Sequence, residues 1–423
     1  MFSRARNSVL MPEENTPLLR LRARPSTRRR VQTLLTSSWL HGLLVFLPVS
    51  WALHFIHVDI PRLEFAFLYL AALSLGKFIG TLSEDIRSQM KKRFTLWFSV
   101  TMDNSITLIL AVSEIEPSVI QNSLKKLQLL AVHNCDLRVA QTLLTGTMLN
   151  NLLLTLGVCF VLGAPRNKDA KAPPLSVYIN SSLLFISAAA IAFPAIFQFV
   201  ITGEPTNQGS NVLNLSHGAA IILLSLYFFF YYFHSYAGGH IDEECSDNDK
   251  YSEQVKLHWS VDLLLLAGVI VLTGFTLQWL MQLLSNITIS GQMRREWIGL
   301  VLLPLLRGNV FERVDFMKRS LRNSFETCVK ITVGSTVQIA LCITPLAICV
   351  AWALGRPLDF LFDPFECVAV LWSVLLLNHI LMEGKSTWFE GVILIHLYVL
   401  IAVTFWFYSG AGLSDPTMAL LEC

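Results

Sequence analysis

Charge is scarce in this chain. Asp, Glu, Lys and Arg make up 15% of its 423 residues, where soluble domains carry roughly a quarter, and that deficit excludes an ordinary cytosolic enzyme. The 32 basic and 30 acidic residues leave a net charge of +2, too little for a nucleic-acid or other polyanion binder. The 8 cysteines show no CxxC or Cys/His ligand spacing. Cys159, Cys328, Cys342, Cys349 and Cys367 lie in apolar segments and read as small hydrophobes, not as a disulfide or zinc framework. A Ser/His/Asp set, a nucleotide loop and a cofactor motif are likewise missing, and no cofactor is expected. What the chain has is apolar surface: 53% hydrophobic residues and a mean hydropathy of +0.54.

Those residues fall into runs of about twenty, the length that crosses a hydrocarbon core as a helix. Eleven such segments lie near 36–56, 63–82, 95–115, 138–163, 177–202, 214–234, 259–285, 296–312, 327–354, 364–382 and 388–409. The eighth is short and interrupted by Pro304, Gly308 and Asn309. The expected fold is an all-α polytopic membrane protein of about eleven transmembrane helices, in contact with membrane lipids. Trp39, Trp51, Trp297, Trp406 and Tyr408 are expected at the membrane–water interfaces.

Residues 1–35 are polar and basic and do not resemble a cleavable signal. Arg20, Arg22, Arg24, Arg28, Arg29 and Arg30 should keep this tail cytosolic by the positive-inside rule. Eleven crossings then put the tail at 411–423 in the lumen. The loops holding Arg87, Lys91, Lys92 and Arg93, and Lys318, Arg319 and Arg322, fall inside as the rule requires, whereas Lys125, Lys126, Arg294 and Arg295 dissent. Asn286-Ile287-Thr288 is a lumenal glycosylation sequon. In the cytosolic tail Glu14, Leu18 and Leu19 fit an acidic dileucine pattern, the type read by a sorting adaptor for vacuoles or lysosomes. The stretch 236–258, with Asp242, Glu243, Glu244, Asp247, Asp249 and Glu253, reads either as a solvated linker or as a weak cation-attracting surface.

That acidic loop divides the chain into a first helix with a five-span unit at 36–235 and a second five-span unit at 259–410. The halves share a pattern. Asp103-Asn104-Ser105-Ile106-Thr107 parallels Gly308-Asn309-Val310-Phe311-Glu312, and Gly146-Thr147 parallels Gly334-Ser335. Five is an odd number, so consecutive units enter the membrane in opposite senses. Two inverted five-helix repeats with a site at the midplane are a common transporter design.

Several stretches carry a more specific likeness. Gly334 to Leu341, Asp363-Pro364-Phe365-Glu366, Asn378, Gly384-Lys385-Ser386, Trp388, Glu390-Gly391, Gly146 to Leu152 and Ser216-His217-Gly218 together resemble the cation/proton exchangers (CAX), the vacuolar calcium/proton antiporters. The resemblance implies an eleven-helix exchanger with an acidic loop after the sixth span, in a vacuolar or other endomembrane. It also implies two Gly-Asn-Ala-x-Glu motifs whose glutamates meet at the centre, with calcium as the transported ion and protons as its counterpart. Calcium takes six to eight hard oxygen ligands, and carboxylates that release it can take up protons.

From that pattern the chain departs. Glu312 keeps the second glutamate, a calcium ligand by the resemblance, and Arg313 stands where the family commonly has His. Thr107 occupies the position of the first glutamate and carries no charge. Three readings stay open. Asp103 replaces the lost charge from four residues away; Glu312 pairs with Arg313 or another cation as a relic; or the cavity takes a different substrate. Gln338 and Ser335 are the other polar groups expected near the centre, for gating or for interhelical bonding. Asn104 and Asn309 are placed to cap broken half-helices. His41, His217, His379 and His396 read as bundle residues. Gln121-Asn122-Ser123-Leu124 and Gln141-Thr142-Leu143-Leu144 both resemble the family's opening of the fourth span, so residues about 125–140 are an extra loop or an unspliced intron.

The function expected is antiport of a cation, with calcium first, against protons, altered by Thr107. The alternative is a non-transporting or repurposed member, including a membrane enzyme with Glu312 or Asp103 as acid or base. The tail yields a direct test. Replacing Leu18 and Leu19 together by Ala should move a fluorescently tagged chain from the vacuolar membrane to the cell surface, as seen by microscopy. Unchanged targeting would remove the dileucine from the sorting route.

Overall fold

The computed structural model describes residues 39–56, 61–87, 89–90, 98, 101–102, 104–115, 137–164, 175–200, 208–241, 259–289, 294–307, 310–311, 313–314, 317, 324–355, 358–382 and 387–408. Among these the regular structure is helical throughout. A 3₁₀ turn Trp39–Val45 leads into α1 (Phe46–Ile56), followed by α2 (Pro61–Arg87) and α3 (Ser105–Ile115). The fourth segment is α4 (Leu137–Leu149), a π-helical stretch Asn150–Thr155 and α5 (Leu156–Gly163). Next come α6 (Leu175–Val200), α7 (Gln208–Ile241) and α8 (Trp259–Ile289). The eighth is α9 (Arg295–Trp297), a π stretch Ile298–Leu302 and α10 (Leu303–Leu305). The ninth is α11 (Ser324–Gln338), a π stretch Ile339–Ile343 and α12 (Thr344–Ala353), before α13 (Pro364–Met382) and α14 (Trp388–Phe407).

Eight of the eleven expected spans are helices long and apolar enough to cross a membrane, and Gly42–Ile56 is a shorter apolar helix. The two remaining segments, at 95–115 and 296–312, yield only short helices. They are the two that carry the paired Asn motifs. α8 runs to Ile289, so the backbone of Asn286, in the sequon, is helical.

Burial sorts the helices into an inner and an outer set. Of the apolar window in Arg138–Gly163, 78% is buried, against 22% in Leu213–Phe233 and 28% in Trp388–Phe407. Ile222, Phe229, Leu264, Val403 and Phe407 accordingly present bare apolar surface of the kind lipid covers. One core is built where α2 lies along α8, with α3 and the π stretch at 298–302 completing it. The other joins α5 to α14 and α6 to α13 around α11 and α12. All five cysteines of the apolar segments are unbridged, four of them buried.

Close crossings depend on glycine. A Cβ at Gly391 would lie 2.6 Å from the Gly157 carbonyl oxygen and 2.7 Å from the Val161 nitrogen, so α5 and α14 touch through backbone. Beside it, Thr387 and Glu390 form a reciprocal cap: the Glu390 N–H donates to Thr387 Oγ1 (3.4 Å) and the Thr387 N–H to Glu390 Oε2 (2.9 Å). Glu390-Gly391, part of the family likeness, is thereby a device for starting and seating α14.

The strand of chain between α12 and α13 is pinned by side chains. Gln141 Nε2 donates to the Asp359 carbonyl and to Asp359 Oδ1 (3.1 Å each), and the Leu361 N–H donates to the same carboxylate (3.0 Å). Ser216 Oγ accepts from the Phe360 N–H at 3.1 Å. Asp363 Oδ1 accepts from the Phe365 N–H (2.9 Å) at the start of α13, and the Tyr408 hydroxyl donates to Asp363 (3.0 Å). Tyr408 is thus a clasp between the end of α14 and the start of α13. Burial pushes the Asp359 carboxyl up to about 6 from its ordinary 3.8, partly opposed by the Leu361 and Gln141 bonds.

Two outcomes follow from this packing. Gly391→Val should destabilise the protein by about 1–3 kcal/mol through overpacking, whereas Gly268→Ala, where a Cβ meets nothing within 4 Å, should not; melting in detergent compares them. For Asp359, the folded state holds its proton longer than the unfolded state, so its contribution to stability is present at low pH and is lost as pH rises from about 4 to about 6. Asp359→Asn should flatten that part of the melting-temperature profile, and an unchanged profile would contradict the buried carboxyl.

Candidate functional site

Three helical segments change their winding; besides the stretch at Ile298–Leu302, two of them lie in the most buried spans of the molecule. In the first, the π stretch begins at Asn150, four residues after Gly146; in the second it begins at Ile339, five after Gly334. A π turn widens the helix and alters which backbone and side-chain groups face a neighbour, and such turns are frequent at functional sites. The first π stretch packs against α11, α13 and α14, and the second packs against α4. A Cβ at Gly146 would run into the backbone of Leu300, so α4 also crosses the π stretch at 298–302 with no intervening side chain. Thr142 closes the same crossing beside Gly299.

Unsatisfied polar atoms gather on these segments. Asn150 is 1% exposed, and both its Oδ1 and Nδ2 lack a hydrogen-bond partner. Thr155 Oγ1, at the far end of the same π stretch, and Thr344 Oγ1, just past the other, are buried and equally unpartnered. Thr107 Oγ1 on α3, the helix packed on α4, is in the same condition with its residue 0% exposed. Each such atom costs about 1–3 kcal/mol, and an accumulation on touching elements is what a ligand site looks like without its ligand. The donors are amide and hydroxyl oxygens, hard ligands suited to a hard cation.

The residues singled out from sequence divide as follows. Thr107 and Asn104 are fully buried on the α3 side. Asn104 sits immediately before α3, its carbonyl accepting from the Leu108 N–H at 2.9 Å, but its side-chain Oδ1 makes no capping bond to the helix. Ser335 and Gln338 are half-buried on the last turn of α11, Gln338 directly preceding the π stretch. Asp103, Asn309, Glu312, Glu14, Leu18 and Leu19 lie outside the described residues. Because α3 begins at Ser105, an Asp103–Thr107 face on one continuous helix is not part of the described geometry.

Sequence reading missed Asn150, Thr155 and Thr344 as site residues, and Glu366. The adjacent pair Asn150-Asn151 in an apolar run was the available signal, since polar groups at membrane depth are functional candidates by default. Glu366, one turn into α13, is 1% exposed and accepts a 2.8 Å bond from Thr145 Oγ1 of α4. It ties α13 to the helix that carries the π stretch. His217 is buried and stacks on Trp352 with ring centroids 4.4 Å apart, whereas His396, 2.8 Å from the Val392 carbonyl of its own helix, is exposed and not a bundle residue as expected.

Known proteins resemble this chain. The sodium/calcium exchanger protein family matches residues 127–236 and 261–407, more than half of the chain. A vacuolar calcium ion transporter of Cryptococcus neoformans var. grubii is 26% identical over 96% of this chain and 79% of its own length. A Ca(2+)/H(+) antiporter of Aphanothece halophytica is 30% identical over 87% of this chain and 96% of its own length. Among solved structures, native YfkE superposes with a TM-score of 0.68 at 23% identity, covering 87% of this chain and all of that one. The H+/Ca2+ exchanger CAX gives 0.61 at 13% identity over 90% of this chain and 93% of its own; at these identities the two structures speak for the fold. With the helix order, the paired π-interrupted spans and matches running through both halves, the chain belongs to the sodium/calcium exchanger protein family, within its cation/proton exchanger (CAX) group.

Proposed function

We propose that the chain is a secondary active antiporter that exchanges calcium for protons across a vacuolar or related endomembrane. The observation that carries this reading is the set of buried, unpartnered oxygens on the two π-interrupted segments and on α3. Thr107, Asn150, Thr155 and Thr344 offer neutral oxygens, and Ser335 and Gln338 border the second π stretch. Calcium and proton antiport are what the relatives' names state, and hard oxygen donors in a widened helix fit a dehydrated divalent cation. Charge and proton exchange come from Glu312 and Asp103, in the motifs that also hold Asn104 and Asn309. Glu312 is the ligand that must exchange calcium for a proton.

The division of the chain belongs to the same proposal. Residues 36–235 and 259–410 act as oppositely inserted units about the midplane, joined by the acidic stretch 236–258 on the cytosolic side. The tail 1–35 carries the sorting signal, Asn286 the lumenal sequon, and 411–423 the lumenal end. In this scheme Thr107 lowers affinity, because a hydroxyl supplies an oxygen without the charge that a glutamate would add.

Purified protein in proton-loaded vesicles should take up calcium when the gradient is imposed. Glu312→Gln should abolish uptake. Asn150→Ala, which removes one oxygen donor, should weaken apparent affinity roughly 5- to 30-fold, the effect of about one to two kcal/mol. Thr107→Glu should increase uptake at low calcium. Gradient-independent calcium flux, or full uptake by Glu312→Gln, would overturn the assignment.

A further inference from the structure

The exchange chemistry leaves the cysteines unused, and two of the buried ones touch. Cys159 on α5 and Cys328 on α11 are both 0% exposed. With the buried Met317 they form a small cluster separate from the two main cores. The two thiols are hydrogen-bonded to each other. Thr332, one turn further along α11, lies within hydrogen-bond reach of both sulfurs, and its hydroxyl donates to the Cys328 carbonyl at 2.7 Å.

The pair sits where two spans end together. A Cβ at Gly163, the last residue of α5, would lie 2.5 Å from Phe325 Cδ2 and 2.7 Å from Met317 Cε, so the end of α5 meets the start of α11. Cys159 and Cys328 each lie about one turn in from that meeting point. On the orientation proposed above this end faces the cytosol, where thiols stay reduced. A positive charge is present as well. Arg313 lies within electrostatic reach of both sulfurs, and its Nε is buried with no hydrogen-bond partner. Packing explains a single buried thiol; two in contact, with a thioether and a guanidinium beside them, are also a ligand set.

Sulfur narrows the choice of ion. Thiolates and thioethers are soft ligands that favour Cu(I), zinc and iron–sulfur clusters. Structural zinc takes four ligands, and no group of three or more His, Cys, Asp or Glu side chains placed to hold a metal is found among the described residues. Calcium needs hard oxygens. Cu(I) is satisfied by two or three sulfurs. The charges agree with that ion. Two thiols release two protons on binding Cu(I), the bis-thiolate complex carries one negative charge, and Arg313 offsets it. A divalent ion held by the same two thiolates would be neutral with them and leave the Arg313 charge unopposed in a dry place.

We propose that Cys159 and Cys328 form a Cu(I) site, flanked by Met317 and charge-balanced by Arg313, and that copper bound there slows exchange by bridging α5 to α11. α5 continues directly from the π stretch Asn150–Thr155, and α11 leads directly into the one at Ile339–Ile343. A sulfur–copper–sulfur bridge therefore ties the two irregular spans together. The slowing of exchange rests on the antiport reading given above; the copper site does not.

Reduced full-length protein in detergent, without oxygen, is titrated with Cu(I) held by bicinchoninate, and transfer to the protein is read from the loss of that complex's colour. Cys159→Ala and Cys328→Ala should each take up one copper fewer per chain than wild type, whereas Cys349→Ser, outside the pair, should match wild type. Arg313→Gln should bind roughly tenfold more weakly, the scale of one nearby unit charge. X-ray absorption of copper-loaded wild type, which needs no variant to fold, should show sulfur ligands alone. In vesicles, Cu(I) should slow gradient-driven calcium uptake by wild type roughly fivefold or more, the lower end of ordinary coupling between sites. A Cu(I) chelator should restore the rate, and Cys159→Ala should not respond. Equal copper uptake by wild type and both alanine variants overturns the proposal, as does nitrogen or oxygen coordination. So does slowing that survives the chelator and yields only to a thiol reductant, which is disulfide formation. Copper bound at the pair without slowing overturns the bridging role. A copper-free wild type that takes up no calcium sinks the antiport reading, while the titration still decides the copper site.

Discussion

Within a bilayer, water does not rescue an unpaired peptide group, and that constraint governs everything else in this protein. It forces the backbone into helices, because only a helix satisfies its N–H and C=O groups within one segment. It also makes each departure from regular winding informative. The described spans depart in matching places: a π stretch at Asn150–Thr155, another at Ile339–Ile343, and short, interrupted helices where the two Asn motifs fall. The unpartnered buried oxygens of Asn150, Thr155, Thr344 and Thr107 sit on those elements or beside them. Other buried polar atoms, among them Asp262 Oδ1, Gln278 Oε1 and Tyr398 Oη, also lack a partner, so it is their position on the irregular stretches that marks these four.

The rest of the molecule supports that centre by bringing helices unusually close. Gly146 against Leu300, Gly157 against Gly391 and Gly76 against Leu306 are backbone-to-backbone approaches that side chains would prevent. Small residues serve this purpose in membranes because association there depends on van der Waals packing, without a hydrophobic drive between helices. The caps do related work at the helix ends. Asp363 and the Thr387–Glu390 pair fix where α13 and α14 begin, and Glu366 is then held against Thr145. Residues that look alike in a motif thus divide by role: Glu390 and Gly391 build the frame, whereas Asn150 and Thr107 are buried with polar atoms left unpartnered.

The sequence by itself determined the polytopic helical class, the order of the spans and the family. Runs of about twenty apolar residues have one stable form in lipid, and motifs such as Gly146 to Leu152 survive as strings. It also placed Asn104 at a helix start, and it expected Ser335 and Gln338 near the centre. The tertiary structure decided what depended on partners remote in the chain. Nothing along the string says that Glu366 meets Thr145 or that Asn150 finds no partner, because burial and hydrogen-bond satisfaction are set by neighbours far away in the chain. The π turns too were invisible to periodicity, for a single added residue per turn arises from how two central helices must pass each other.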